Sequence, residues 1–371
     1  MFILVLNAGS SSLRFSLFDK KLNEVYKGHV DAIGLKTCNY PIKNHEEAIA
    51  FALKKLQMDG AIQDLTDIKK VAHRVVHGGE KYTKPTRITA KVLKDLKKLS
   101  HLAPLHNPIN LSTLEACEKK LPKAKHFAIF DTAFHHTLPE RAFLYGLPYS
   151  LYKKSHYRRY GFHGTSHHYV AGQASKLLKK KNASLITCHI GNGVSLTAIK
   201  NGKALDTTMG YTPLEGPMMG TRSGTLDPGL VLELVKEMGL QKTENLLQKE
   251  SGFKGLSGLG SDIRMLWAKP KDPGTLRTFE VFSYQMAKLI LSLYAPLGTL
   301  PDAIVFTAGI GENAYYLRAQ IMKYLEPFGC ILDSKANKAN RTLISTKNSK
   351  TKVFVIPTNE ALEMAGEIQQ F

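Results

Sequence analysis

The sequence predicts an α/β protein in which one domain plan is used twice. Three observations carry this. At 371 residues the chain is long enough to bury two cores. Short apolar runs alternate with amphipathic helical patterns along its length. A frame of strand, Gly-rich polar turn, strand, polar turn and strand occurs twice, as LVLNAGSSSLRFSLFDKKLNEV from Leu4 and as ITCHIGNGVSLTAIKNGKALDT from Ile186. Self-similarity of this kind signals internal duplication.

The elements follow in order. Phe2–Leu6 reads as a buried strand, and Leu13, Phe15 and Leu17 alternate with polar positions as a second. Between them, Asn7–Ser12 offers N–H groups, hydroxyls and the nearby cation Arg14, which suit an anionic ligand. Glu24–Ile33 supplies a third strand. Asn44 caps a helix with Ile49, Ala52, Leu53 and Leu56 at helical spacing. Ile68–Val76 is a strand running into His77-Gly78-Gly79, and helices follow at Ala90–His101 and Ile109–Lys119. Phe127–Phe130 is a strand ending at Asp131, and Pro139–Arg159 is expected to be irregular. Tyr160–His168 leads into a helix through Leu178, and the second frame begins at Ser184. Within it, Asn201-Gly202 signals a type I′ hairpin. Pro228–Met238 is helical, Ser251–Asp262 is expected to be a mobile glycine-rich loop, and Arg277–Leu297 is the strongest helical pattern. Ala303–Phe306 and Val353–Ile356 are strands, and Asn359 caps a terminal helix that begins at Glu360.

Composition narrows the classes. Hydrophobic residues make up 43% and charged residues 22%, as in an ordinary globular chain. The net charge of +20 invites a polyanion-binding reading. The lysines, however, fall in pairs along the whole chain, at element ends and on polar helix faces, so a solvated basic surface is expected and nucleic acid is not. No apolar run reaches the length of a membrane span, and Phe2–Leu6 is too short and lacks a basic flank for a signal peptide. Cys38, Cys117, Cys188 and Cys330 are scattered without a CxxC pair, which predicts reduced thiols and a cytoplasmic location.

No P-loop motif occurs, so phosphate binding falls to the two hairpin turns and to helix N-termini. Gly309-Ile310-Gly311-Glu312-Asn313-Ala314 fits the GxGxxA dinucleotide pattern, but it sits too late for the strands that fold needs; a close approach to a mononucleotide is the better reading. His163 and His167 have the spacing of two metal ligands on a helix, yet Gly164 and Thr165 suggest a loop, which favours a hydrogen-bonding or catalytic role over zinc. Arg74 and Arg222 stand beside glycines, where guanidinium groups can meet phosphoryl oxygens. Asp131, at a strand end, reads equally as a structural cap or as an acid/base, and Glu360 fits a first-turn helix glutamate.

Nine ordered blocks together resemble the acetokinase family: NAGSSS (Asn7–Ser12), HRVVHGG (His73–Gly79), APLHNP (Ala103–Pro108), FDTAFH (Phe130–His135), GFHGTSH (Gly161–His167), HIGNG (His189–Gly193), MGYTPLEGPMMGTRSGTLDP (Met209–Pro228), AGIGENA (Ala308–Ala314) and TNE (Thr358–Glu360). The resemblance implies two duplicated domains of the actin, Hsp70 and sugar-kinase type (ribonuclease H-like) around an interdomain nucleotide cleft. Their expected bounds are 1–132 with 359–371, and 133–358. It implies reversible, Mg²⁺-dependent transfer from ATP to acetate, giving ADP and acetyl phosphate by direct in-line attack, with Mn²⁺ as a substitute metal and a homodimeric assembly. Propionate or butyrate as acceptor is the sibling alternative; a non-catalytic nucleotide- or polyanion-binding protein is the distant one.

Carried over by position, the resemblance puts metal-linked roles on Asn7 and Glu360 and catalytic roles on Arg74, Asp131, His163 and Arg222. Arg74 also contacts substrate, beside an acyl pocket of Val76, Leu105, Phe162 and Pro213. ATP contacts fall on Arg14, His189, Ile190, Gly191, Asn192, Gly193, Asp262, Ile263, Arg264, Gly309, Ile310, Gly311, Glu312 and Asn313. Arg14 replaces the lysine usual in the family, a planar fork in place of a point charge.

Overall fold

The computed structural model describes every residue of 1–371 except Lys36, Asn39 and Leu105. The chain divides into two units, Met1–His136 with Asn359–Phe371, and Thr137–Thr358.

The first unit holds strands β1 (Phe2–Ala8), β2 (Leu13–Phe18), β3 (Glu24–Val30), β4 (Ile68–Val75), β5 (Thr86–Arg87) and β6 (Lys125–Phe130), in sheet order β3-β2-β1-β4-β6-β5. β1, β2 and β3 form an antiparallel meander; β1, β4 and β6 run parallel. The helices His45–Met58 and Asn107–Lys120 cover one face, where Ile49, Leu53 and Cys117 join Leu4, Leu6 and Val71 in a core. The terminal helix Glu360–Gln369 covers the other through Met364, Ala365 and Ile368, packed on Ile3, Val5 and Phe127. Lys70 Nζ donates to the Ile368 and Gln369 carbonyls at 3.2 and 2.5 Å, a cation at the negative end of that helix.

The second unit holds β7 (Ser184–Ile190), β8 (Val194–Lys200), β9 (Lys203–Thr207), β10 (Ala303–Thr307) and β11 (Lys352–Val355), in order β11-β10-β7-β8-β9. Again a meander of three is followed by two parallel strands. Read from the far edge, β9-β8-β7-β10-β11 repeats β3-β2-β1-β4-β6, so the duplication seen in the frames extends through both sheets. Asn201 and Gly202 take φ of +55° and +73°, as a type I′ turn requires.

Three local expectations are corrected. Pro139–Arg159 contains the helices Glu140–Phe143 and Tyr149–Ser155. Gly164 and Thr165 open the helix Gly164–Leu178 rather than forming a loop, with His163 as its N-cap. Ser251–Asp262 contains a helix, Gly252–Ser257, with Phe253 buried. Among the described residues no helix is long and apolar enough to cross a membrane.

Candidate active site

In the first unit the parallel strands β1, β4 and β6 end side by side, and polar groups gather there. Leu6 pairs with His73 and Val75 with Phe130, which brings Asn7, Arg74 and Asp131 to adjacent strand ends. Carboxyl ends of parallel strands are where α/β sheets place ligands. Arg74 grips Asp131 with both arms, Nε to Oδ1 at 2.8 Å and Nη2 to Oδ2 at 2.5 Å, and donates from Nη1 to Asn7 Oδ1 at 3.1 Å. Burial works against the Arg74 charge, but Asp131 and then Glu360 outweigh it and raise its pKa. Among the described residues, two of the five guanidinium N–H groups are left over for a ligand.

Glu360 stands at the start of the terminal helix. Burial raises its pKa, against the pull of Arg74, with Asp131 adding to the rise and Arg14 opposing it. Arg14, exposed, lies directly across β1–β2 from Asn7.

Val76 follows β4 and is buried. The turn after it is fixed by two asparagines of the helix Asn107–Lys120. Asn110 Oδ1 accepts from Val76 N at 3.2 Å while its amide donates to the Ala8 carbonyl at 2.9 Å; Asn107 bonds both the N–H and the carbonyl of His77 at 3.0 Å. Neither role is legible in the sequence, since Asn107 before Pro108 reads as helix entry and Asn110 as an ordinary first-turn residue, and only the fold brings them to a strand end.

In the second unit, His163 takes φ of +57°, a left-handed conformation that costs a side-chain-bearing residue about 1 kcal/mol. Its ring stacks on His189 at 4.1 Å between centroids. Ser195 Oγ bridges His163 Nδ1 and His167 Nε2, 2.8 Å from each, and His167 Nδ1 is 2.7 Å from Thr187 Oγ1. A hydroxyl carries one proton, so it can donate to only one of the two imidazoles and accepts from the other. The two histidines with ligand-like spacing are thus tied through a hydroxyl. Ser195 itself was invisible to the sequence reading, since a serine alternating in a strand carries no signal of this kind. A second chain links His189 Nδ1 to Ser166 Oγ at 2.8 Å and Ser166 to Thr358 Oγ1 at 2.9 Å.

Arg222 is half-buried, and among the described residues its side chain donates only to the Pro213 carbonyl, at 3.1 Å, and weakly to Met219 Sδ. Burial lowers its pKa, and among the described residues no carboxylate offsets this. A guanidinium so held gains most from an incoming anion. Arg222 and His163 converge on one turn: a Cβ at Gly193 would lie 3.2 Å from His163 Nε2 and 3.5 Å from Arg222 Nη1. The loop carrying Arg222 is clamped by the helix Gly252–Ser257, through Phe253 N to Met219 O at 2.8 Å and Lys254 N to Gly220 O at 3.0 Å.

A cleft of about 670 Å³ in the second unit is lined by Gly191, Asn192, Asp262, Ile263, Arg264, Gly309, Ile310 and Asn313, all expected nucleotide contacts. Its aromatic wall was not foreseen: Trp267 and Tyr316 stack at 3.6 Å with planes 3° apart, with Tyr315 edge-on to both. Stacking between residues so distant in sequence leaves no local pattern. Burial raises the Tyr316 pKa to about 12. Arg264 is held by Asp262, Nη2 to Oδ2 at 2.6 Å.

The remaining expected residues have other surroundings. His189 lies under His163; Ile190 is buried in β7; Gly311 packs near the Ile190 side chain; Glu312 Oε1 accepts from Thr358 N at 3.1 Å. Of the expected acyl pocket, Val76 belongs to the first unit, Phe162 and Pro213 to the second, and Leu105 lies outside the described residues.

The family model described as the acetokinase family matches residues 2–366. Acetate kinase of Clostridium beijerinckii is 45% identical, over 99% of this chain and 98% of its own length. The crystal structure of Porphyromonas gingivalis acetate kinase superposes with a TM-score of 0.92 at 39% identity, covering 100% of this chain and 99% of that one. A propionate kinase from Francisella tularensis gives 0.94 at 37% identity with the same coverage. The twin sheets and the polar groups at their strand ends define a protein of the actin and sugar-kinase fold class. Within that class, the chain belongs to the acetokinase family.

Proposed function

We propose that this chain is an ATP-dependent phosphotransferase whose acceptor is the carboxylate of acetate, forming acetyl phosphate and ADP reversibly. One observation carries the reading: Arg222, a half-buried cation with no carboxylate partner among the described residues, converges with His163 on the glycine turn Gly191–Gly193. Phosphoryl transfer leaves little covalent chemistry to the protein and asks chiefly for donors around the moving group. Acetate, with a carboxyl pKa near 4–5, is already an anion at pH 7 and needs no base. The task is to hold two anions in line against their repulsion.

In this reading Arg222 and His163 stabilise the transferring phosphoryl group. Arg74 takes the acetate carboxylate with the N–H groups it does not spend on Asp131 and Asn7, and the methyl contacts fall to the apolar residues Val76, Phe162 and Pro213. Asp131, doubly bonded to Arg74, orients that arginine rather than moving a proton. The cleft beside Trp267 and Tyr316 takes the nucleotide, with Gly191, Asn192 and Gly309–Asn313 near its phosphates and Arg14 as a further cation toward ATP.

Asn7 and Glu360 would hold the metal. An amide oxygen and a carboxylate suit a hard cation, Mg²⁺ or Mn²⁺, which keeps waters and phosphate oxygens as its other ligands. Glu360, raised in pKa by burial, gains from a cation there. When bound, the ion supplies charge neutralisation across the nucleotide phosphates.

A homodimer is part of the proposal. No residue of the helix Pro228–Met238 is fully buried, and Leu230 and Leu232 are 50% and 63% exposed, an apolar face of the kind that marks association surfaces. Leu232→Asp is expected to yield monomers by analytical ultracentrifugation. The cytoplasm is the proposed compartment, in keeping with four free cysteines.

The reading is tested by ADP release with ATP, Mg²⁺ and one of three acids. One methylene in a tight pocket is worth ~1–3 kcal/mol. Acetate is therefore expected to exceed propionate in kcat/KM by ~10-fold or more, with butyrate lower still. Propionate above acetate would move the chain to the sibling activity, and no turnover with any acid would end the proposal.

A further inference from the structure

Behind Arg74 lies a polar cluster with no part in the proposed transfer. Successive residues of a strand point to opposite faces, so His73 faces away from the site, into the core beneath the helix Asn107–Lys120. His126 on β6 and Cys117 on that helix meet it. One ring nitrogen of each imidazole and Cys117 Sγ all lie within 4.8 Å of one another, and all three side chains are buried. His73 Nε2 is 2.9 Å from His126 Nδ1, and His126 Nε2 donates to the Leu121 carbonyl at 3.0 Å. A neutral imidazole has one N–H, so His126 presents the lone pair of Nδ1 toward His73.

Two imidazoles and a thiol with apolar neighbours, Val71 and Leu121 among them, form a donor set for a soft cation and not for Mg²⁺. A carbonyl-anchored N–H, as on His126, is the arrangement that orients metal-ligating histidines. Charge selects further. A divalent ion with one thiolate would leave a positive charge in the core, whereas a monovalent ion is neutralised.

We propose that His73, His126 and Cys117 form a three-coordinate site for a monovalent thiophilic cation, with Cu(I) as the probe. On binding, Cys117 loses its thiol proton to solvent and forms the metal–sulfur bond. The His73 proton moves from Nε2 to Nδ1, freeing a second nitrogen lone pair. One proton leaves for each ion bound, and nothing is oxidised or reduced. Because His73 adjoins Arg74 on β4, occupancy is expected to depress acetate-dependent turnover; only this last readout rests on the function proposed above.

Reduced full-length protein is titrated anaerobically with Cu(I) held by a chromogenic Cu(I) chelator. The expected result is one equivalent taken up per chain with one proton released, and an X-ray absorption spectrum reporting two nitrogens and one sulfur. Cys117→Ser and His126→Gln are each expected to weaken uptake ~100-fold, and Cys38→Ser to leave it unchanged. Thermal melts of the variants, and the wild-type absorption spectrum, keep the test informative where a variant folds poorly. No uptake by the wild type, uptake unchanged in both folded variants, or a spectrum with sulfur ligands alone would overturn the site. Tighter binding of Zn(II) than of Cu(I) at these residues would overturn the charge argument.

Discussion

Arg222 is the residue on which the proposed chemistry turns, because its half-buried charge is answered, among the described residues, only by a carbonyl and a thioether. Arg222→Ala is expected to lower kcat by ~10²-fold or more with little change in nucleotide affinity. Unchanged kcat beside a large rise in ATP KM would assign it to ground-state binding instead. Ser195 acts one step back, holding His163 Nδ1 while bonded to His167. Ser195→Ala is expected to reduce kcat ~10-fold, to leave both KM values near wild type and to shift the pH profile of kcat. Ser195→Thr, which keeps the hydroxyl, is expected to restore most of the loss. A fall in thermal stability with an unaltered pH profile would make Ser195 merely structural.

The elements that hold these residues differ in how well they can be read from sequence. The strand–turn–strand frames are legible because a period of two is a strong signal and glycine turns interrupt it sharply. Segments whose form comes from tertiary contacts are not, and Ser251–Asp262 is the clearest case. Its glycines suggest mobility, yet Gly252 takes φ of +63° and lies so close to the Arg222 loop that a Cβ would come 2.0 Å from the Met219 carbonyl oxygen. Glycine is used there for close approach, not for freedom. Gly252→Ala is expected to cost ~1–3 kcal/mol of stability and to lower kcat by loosening the Arg222 loop. Wild-type melting and turnover in that variant would refute the clamp. The asparagines behind Val76 make the same point, since Asn107 and Asn110 gain meaning only when the helix start meets the end of β4.

At the level of the whole molecule, duplication was visible in sequence only at the two meanders. The structure extends it to the parallel strands, which are mostly buried but share neither length nor motif. The arrangement leaves deeply buried titratable groups that bear on stability. Burial pushes the pKa values of His77 and His135 down to about 3, with a smaller contribution from His101 at His77. Both are neutral in the fold, while the unfolded chain binds a proton on each below about pH 6.5. Unfolding therefore takes up protons, and stability falls as pH drops from about 6.5 toward 3, by up to ~1.4 kcal/mol per pH unit for each histidine. Urea unfolding at pH 7 and pH 5 reads this directly, and equal stability at the two would contradict the buried neutral assignment.

In the function proposed, this chain moves a phosphoryl group onto a carboxylate oxygen. Acyl phosphates react with hydroxylamine to give hydroxamates, so incubation with ATP, Mg²⁺, acetate and hydroxylamine tests it most directly. Acetyl hydroxamate is expected in step with ADP, lost on omitting acetate and reduced ~10²-fold or more in Arg222→Ala. ADP formed without any hydroxamate would show transfer to water, and would rule out a carboxylate acceptor.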